Sequence, residues 1–140
     1  MKQKFIDLYM SIAETVAQTS SARKLKVGAV CVKDHRILSI GYNGTPPDYD
    51  NNCEHETDDG LTTRAEVIHA EQNAIFKMAR DGQPALGSVM FVTHAPCMEC
   101  AKAIKTCGIQ TVYYRNAYRS SEGIEFLQKL GVDVQKSLSV

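Results

Sequence analysis

Residues 88–108 read SVMFVTHAPCMECAKAIKTCG. The opening SVMFVT is apolar or β-branched and uncharged, which predicts a buried strand over 88–93. Pro96 suits the first position of a helix, so the spacing predicts a helix from 96 or 97 to Cys107, with Gly108 as its terminator. IQTVYY (109–114) predicts a second strand. A strand, a helix and a strand in this order form a crossover unit with parallel strands. A helix over 121–130, opened by Ser120 or Ser121 and ended by Gly131, and a short strand VDVQ (132–135) continue the alternation.

Working back from residue 88, the pattern predicts a helix over 68–79, closed by Asp81-Gly82. Residues 44–63 almost lack apolar side chains and gather turn formers, among them Pro46, Pro47, Asp50, Asn51, Asn52, Asp58, Asp59 and Gly60, so they read as a loop. A loop that long inside a compact domain is uncommon and either serves a function or is disordered. VGAVCVK (27–33) and RILSIGYN (36–43), parted by Asp34-His35, predict a hairpin. Phe5, Tyr9, Ile12 and Val16, widened by Leu8 and Ala13, predict an amphipathic helix over 3–19. The order αββαβαβαβ implies an α/β fold: three layers, with a five-stranded mixed sheet between helices on both faces.

The chain has 140 residues, one domain spanning 1–140, with 44% apolar and 23% charged residues. At this length roughly 70% of the unfolded surface is buried on folding, so a core forms without staples. Lys plus Arg and Asp plus Glu each number 16. That balance disfavours a polynucleotide partner. The N-terminal stretch lacks the apolar run of a signal peptide, and no 18-residue apolar run occurs, so a soluble, cytoplasmic protein without a membrane partner is expected. In a reducing compartment the spacing Cys97-x-x-Cys100 points to metal or redox chemistry.

His69-Ala70-Glu71 precedes Pro96-Cys97-Met98-Glu99-Cys100 by one predicted strand. Together they make H-x-E…P-C-x-x-C, the zinc deaminase signature. Cys97 and Cys100 lie one helical turn apart, within reach of one tetrahedral ion, and the helix N-terminus favours their thiolates. Three ligands, His69, Cys97 and Cys100, leave a fourth zinc position for water, as catalytic sites do. Two thiolates offset the charge of Zn²⁺, so the metal alone acidifies water less than an all-histidine site and a base must help. Glu71 is roughly 200° around the helix from His69, so both reach one small volume only at the helix's N-terminal end. That places Glu71 as the proton shuttle. Cys31, Cys53 and Cys107 read as core or loop residues; Cys53, His55 and His94 form a weaker second metal candidate.

KVGAV (26–30), GYNGTP (41–46), NNCE (51–54), HAEQNAI (69–75) and PCMECAKAIKTCGI (96–109) resemble, in order, segments of the cytidine and deoxycytidylate deaminase superfamily, most closely its deoxycytidylate branch. Free-nucleoside deaminases typically offer cysteine as first ligand, where this chain has His69. The resemblance implies hydrolysis of dCMP to dUMP and ammonia, supplying thymidylate synthesis. It further implies Asn43 on the sugar hydroxyl, backbone groups of Ala70 and Glu71 on the base carbonyl, and the Ala95 carbonyl facing the exocyclic amine. Arg23, Lys24 and Lys26 form the one dense basic run, a phosphate candidate, with Tyr118 a further wall or phosphate contact. His94-Ala95 precedes Pro96 where Ser-Pro is frequent in the family.

The resemblance also implies a homo-oligomer, expected as a hexamer, activated by dCTP with Mg²⁺ and inhibited by dTTP. Gly44, Thr45 and Arg64 in the polar segment and Arg80 near the far end of the His69 helix are the allosteric or interface candidates. Deamination of dCTP, or of both nucleotides, is the alternative activity, followed by tRNA adenosine or riboflavin-pathway deamination. From another class, a catalytically silent zinc-stabilised interaction domain competes; Glu71 argues against it, since a purely structural site has no use for a proton shuttle.

Overall fold

In the computed structural model, residues 1–118 and 120–138 are described. Helix α1 (Gln3–Ala17) forms because Ile6, Tyr9, Met10, Ala13, Val16 and Ala17 fall on one stripe and are buried. It stops two residues short of the predicted end. Strand β1 (Gly28–Lys33) is buried along all but its last residue, as a central strand covered on both faces must be. It pairs antiparallel with β2 (Arg36–Tyr42). Asp34 and His35 have φ of 51° and 58°, so the hairpin closes through two left-handed residues, the turn that matches strand twist.

The polar segment does not stay a loop. Strands β3 (Glu54–Thr57) and β4 (Gly60–Thr63) form a second, separate hairpin within it. Helix α2 (Ala70–Arg80) follows, two residues later than predicted, because His69 is its cap rather than an interior residue. Strand β5 (Val89–His94) leads to α3 (Met98–Thr106), capped by Cys97, which leaves Pro96 outside the helix rather than in its first turn. Strand β6 (Thr111–Asn116), α4 (Glu122–Lys129) and β7 (Asp133–Lys136) complete the chain. At the start of α4 the Ser120 hydroxyl accepts the Glu122 N–H.

The main sheet runs β2-β1-β5-β6-β7, with β1 antiparallel to both neighbours and β5, β6 and β7 parallel. Tyr9, Val30, Phe91 and Tyr113 build the core under α1, where the rings of Phe91 and Tyr113 stack. Ala29, Cys31, Ala74, Met90, Val92, Ala101 and Ile104 build the other under α2 and α3. This is the expected three-layer arrangement, with one extra hairpin. Two close approaches position the site. A side chain on Gly41 would strike the backbone of Ala70 and Ala74, and one on Gly123 would strike the Pro96–Cys97 turn. Only glycine lets β2 lie against the first turns of α2, and α4 against the start of α3.

Candidate active site and metal centre

Each of the paired helices α2 and α3 begins with a side chain able to ligate a metal ion. His69 caps α2, its own N–H donating to Gln72 Oε1 at 3.1 Å in a capping box. Cys97 caps α3, and Cys100 follows in the first turn, fully buried. Nδ1 of His69 stands 3.2 Å from Cys100 Sγ and 3.5 Å from Cys97 Sγ. A tetrahedral zinc with ordinary bond lengths requires nitrogen–sulfur edges of about 3.5 Å, so the three side chains already fit the ion. Among the described residues they are the one histidine, cysteine and carboxylate cluster with that geometry, all ligand atoms lying within 4.8 Å.

The electrostatics agree with ligation. Hydrogen bonds from Cys100 and His69 hold the Cys97 thiol down to about 3. Cys100 is pushed up because it supplies a proton to Cys97 and is buried. Hydrogen bonding to Cys97 raises His69. These groups share protons that a cation would displace. Glu71, in the first turn of α2, is 5% exposed, and burial pushes its carboxyl up to about 7. Its own backbone N–H and His69 pull the other way without prevailing.

A cavity of about 500 Å³ opens over these residues, lined by Lys24, Asn43, Glu54, His94, Ala95 and Tyr118 among others. Asn43 is braced: its Oδ1 accepts the Val27 N–H at 2.8 Å while its Nδ2 donates to Leu25 O at 2.8 Å. Ala70 and Ala95 are buried and line the same cavity as His69 and Cys97, Ala95 donating its N–H to Asn116 O. Lys24 reaches the cavity wall. Arg23 instead turns toward Asn52, Glu54 and Glu56.

Gly44 bridges Ile68 by backbone bonds of 3.1 and 2.8 Å, and the Thr45 hydroxyl donates to Asp50 O. Arg64 fastens the polar segment from within, donating to Asp50 and to the Asn52 carbonyl, both at 2.6 Å. Arg80 is exposed and paired with its neighbour Asp81. The second metal candidate is not assembled: Cys53 donates its thiol to Asn51 O, His55 is exposed on β3, and no such cluster occurs among the described residues.

Sequence reasoning gave Glu54 no role. It is 2% exposed, and its carboxylate accepts the N–H groups of Arg23, at 3.0 and 3.2 Å, and Lys24, at 3.0 Å. A glutamate within a run of turn formers was the one available signal. Thr93, likewise unassigned, accepts the Gly28 N–H and contacts His94 Nδ1.

Comparison with known proteins agrees with the geometry. The family model described as the cytidine and deoxycytidylate deaminase zinc-binding region matches residues 3–116. ComE operon protein 2 of Bacillus subtilis is 35% identical over 133 residues, covering 91% of this chain and 68% of the relative. Deoxycytidylate deaminase of enterobacteria phage T4 is 30% identical, covering 89% and 86%. Among solved structures, the dCMP deaminase of cyanophage S-TIM5 in complex with dCMP and dUMP superposes with a TM-score of 0.91 at 47% identity, covering 97% of this chain and 98% of that one.

Proposed function

The chain belongs to the cytidine and deoxycytidylate deaminase family, and from that premise we propose that it hydrolyses dCMP to dUMP and ammonia. The observation that carries this reading is the buried Glu71 carboxyl beside a His69, Cys97 and Cys100 cluster at the floor of a nucleotide-sized cavity. His69, Cys97 and Cys100 would hold zinc, which supplies a Lewis acid that lowers the pKa of water.

Glu71 does the proton work. As water oxygen bonds to C4 of the base, Glu71 takes a proton and passes it to N3. A second proton goes through the same carboxyl to the exocyclic nitrogen, the C4–N bond breaks, ammonia leaves and C4 becomes a carbonyl. A carboxyl pushed up to about 7 both accepts and returns protons near neutrality. Ala95 O receives the amine, the first N–H groups of α2 hold the base carbonyl, and Asn43 keeps one amide hydrogen for the sugar. Lys24 offers positive charge to a 5′-phosphate.

The same proposal extends to dUMP supply for thymidylate synthesis and to a hexamer activated by dCTP with Mg²⁺ and inhibited by dTTP. Two observations support control. The Gly44–Ile68 bridge ties the polar segment to the residue before His69, and Leu8, Ile37, Ile40 and Phe76 are exposed apolar side chains of a kind that subunit contacts cover. The proposal also places the chain in the cytoplasm, on its likeness to nucleotide-metabolism enzymes; no described helix is long and apolar enough to cross a membrane.

Ammonia release from dCMP, dCTP, deoxycytidine and CMP, assayed separately, tests the reading. dCMP is expected to lead, and Glu71→Gln is expected to keep zinc while losing at least about 10²-fold in kcat. Preference for dCTP would install the alternative, and near-normal turnover by Glu71→Gln would remove the shuttle.

A further inference from the structure

His94 ends β5 on the cavity wall, and none of the chemistry above uses it. Its ring state follows from its neighbour. Thr93 Oγ1 accepts the Gly28 N–H at 3.1 Å and lies 3.0 Å from His94 Nδ1. Among the described residues the Thr93 hydroxyl has no other acceptor, so its own proton goes to Nδ1. A neutral imidazole whose Nδ1 accepts must carry its hydrogen on Nε2. Partial burial lowers the ring's proton affinity, which keeps it neutral. Thr93 is itself held, because its carbonyl accepts Asn116 Nδ2 at 2.8 Å, and the strand end beyond it is held by the Ala95 N–H, which donates to Asn116 O. The strand end therefore presents a pre-oriented N–H donor to the cavity.

We infer that His94 is a specificity-determining residue, donating through Nε2 to a 5′-phosphate oxygen of the substrate. This rests on the deaminase reading above, which already commits the acceptors of the base to the first turn of α2 and to Glu71. The acceptor-rich group left on a nucleotide is its phosphate. Lys24 is the cation in the cavity lining, and the Glu54 carboxylate there is engaged with the Arg23 and Lys24 N–H groups. A neutral donor in the same cavity as one exposed ammonium serves a dianion without adding a buried charge.

The test measures kcat and KM for dCMP and deoxycytidine in His94→Ala, His94→Gln and His94→Asn, each checked for zinc content and melting temperature. A Gln amide nitrogen overlays the position of Nε2, whereas Asn overlays Nδ1. His94→Ala is expected to cut the preference for dCMP over deoxycytidine by about 10- to 100-fold, mainly through KM. Gln is expected to restore most of that preference and Asn little. Equal losses on both substrates, or rescue by Asn rather than Gln, would reduce His94 to a packing role beside Thr93 and overturn the assignment while the deaminase reading stands. A wild-type chain that deaminates neither compound would overturn both.

Discussion

Cys31 and Cys97 carry the same thiol and are built for opposite ends. Cys31 lies in the middle of β1, fully buried, and burial with a smaller contribution from Cys107 pushes it up to about 12. Cys97 stands at a helix N-terminus, partly exposed, with hydrogen bonds from Cys100 and His69 holding it far below the usual thiol range. Position in the fold, rather than residue type, sets reactivity. In the native chain stripped of metal, iodoacetamide at pH 8 should label Cys97 first and leave Cys31 untouched until the protein unfolds. Added zinc should protect Cys97. Peptide mass mapping reads both, and labelling of Cys97 that ignores zinc would contradict its assignment as a ligand. The meeting of His69, Cys97 and Cys100 was legible in the sequence because a tetrahedral ion restricts spacing severely, and the place of Glu71 because it follows His69 by two positions at the start of the same helix. Glu54 was not legible: its partners, the N–H groups of Arg23 and Lys24, are backbone atoms thirty and thirty-one residues away, and backbone donors leave no mark in side-chain patterns.

The same blindness acts at the scale of elements. Where burial is apolar, periodicity located every helix and every strand of the main sheet to within about two residues, the ordinary fraying of such boundaries. β3 and β4 escaped because their hairpin buries almost no apolar surface; apart from Glu54 and Leu61 its residues are exposed. Asp59-Gly60 between Thr57 and Leu61-Thr62-Thr63 was a turn signal, but without an alternating apolar face it carried little weight. Polar contacts hold the hairpin instead. Arg64 ties Asp50 and Asn52, and Glu54 plugs the inner end. Glu54→Gln replaces a carboxylate bridging two backbone donors with an amide that offers one oxygen. Hydrogen bonds to a charged acceptor contribute about 1.5–3 kcal/mol. The variant should therefore show a several-fold higher KM for dCMP, since Lys24 loses its anchor, with kcat changed less. Amide exchange over 44–64 should quicken alongside. Unchanged KM together with unchanged exchange would show that the hairpin does not support the cavity.

Across the whole molecule, the candidate metal cluster draws its side chains from two helices that already pack on one face of a single sheet. His69 belongs to α2, which rests on β1 and β2, while Cys97 and Cys100 belong to α3, which follows β5 and is braced by α4 through Gly123. Both apolar cores are complete without an ion, since α1 covers one face of the sheet and α2 and α3 cover the other. Metal binding should therefore raise stability rather than create the fold, unlike a zinc finger, whose small core cannot stand alone. A ligand that binds only the native chain stabilises it by RT ln(1 + [L]/Kd), about 4 kcal/mol when free zinc exceeds Kd a thousandfold. In a domain of this size that corresponds to a melting shift of roughly 10–15 °C. Chelation followed by calorimetry should show such a drop while far-UV circular dichroism at 20 °C keeps its helix and strand signal. Cys100→Ser should melt at the chelated temperature whether or not zinc is added. Coincident melts for metal-loaded and stripped wild-type protein would show that the cluster adds no stability through metal, and complete loss of secondary structure on chelation would show that the cores do not suffice without it.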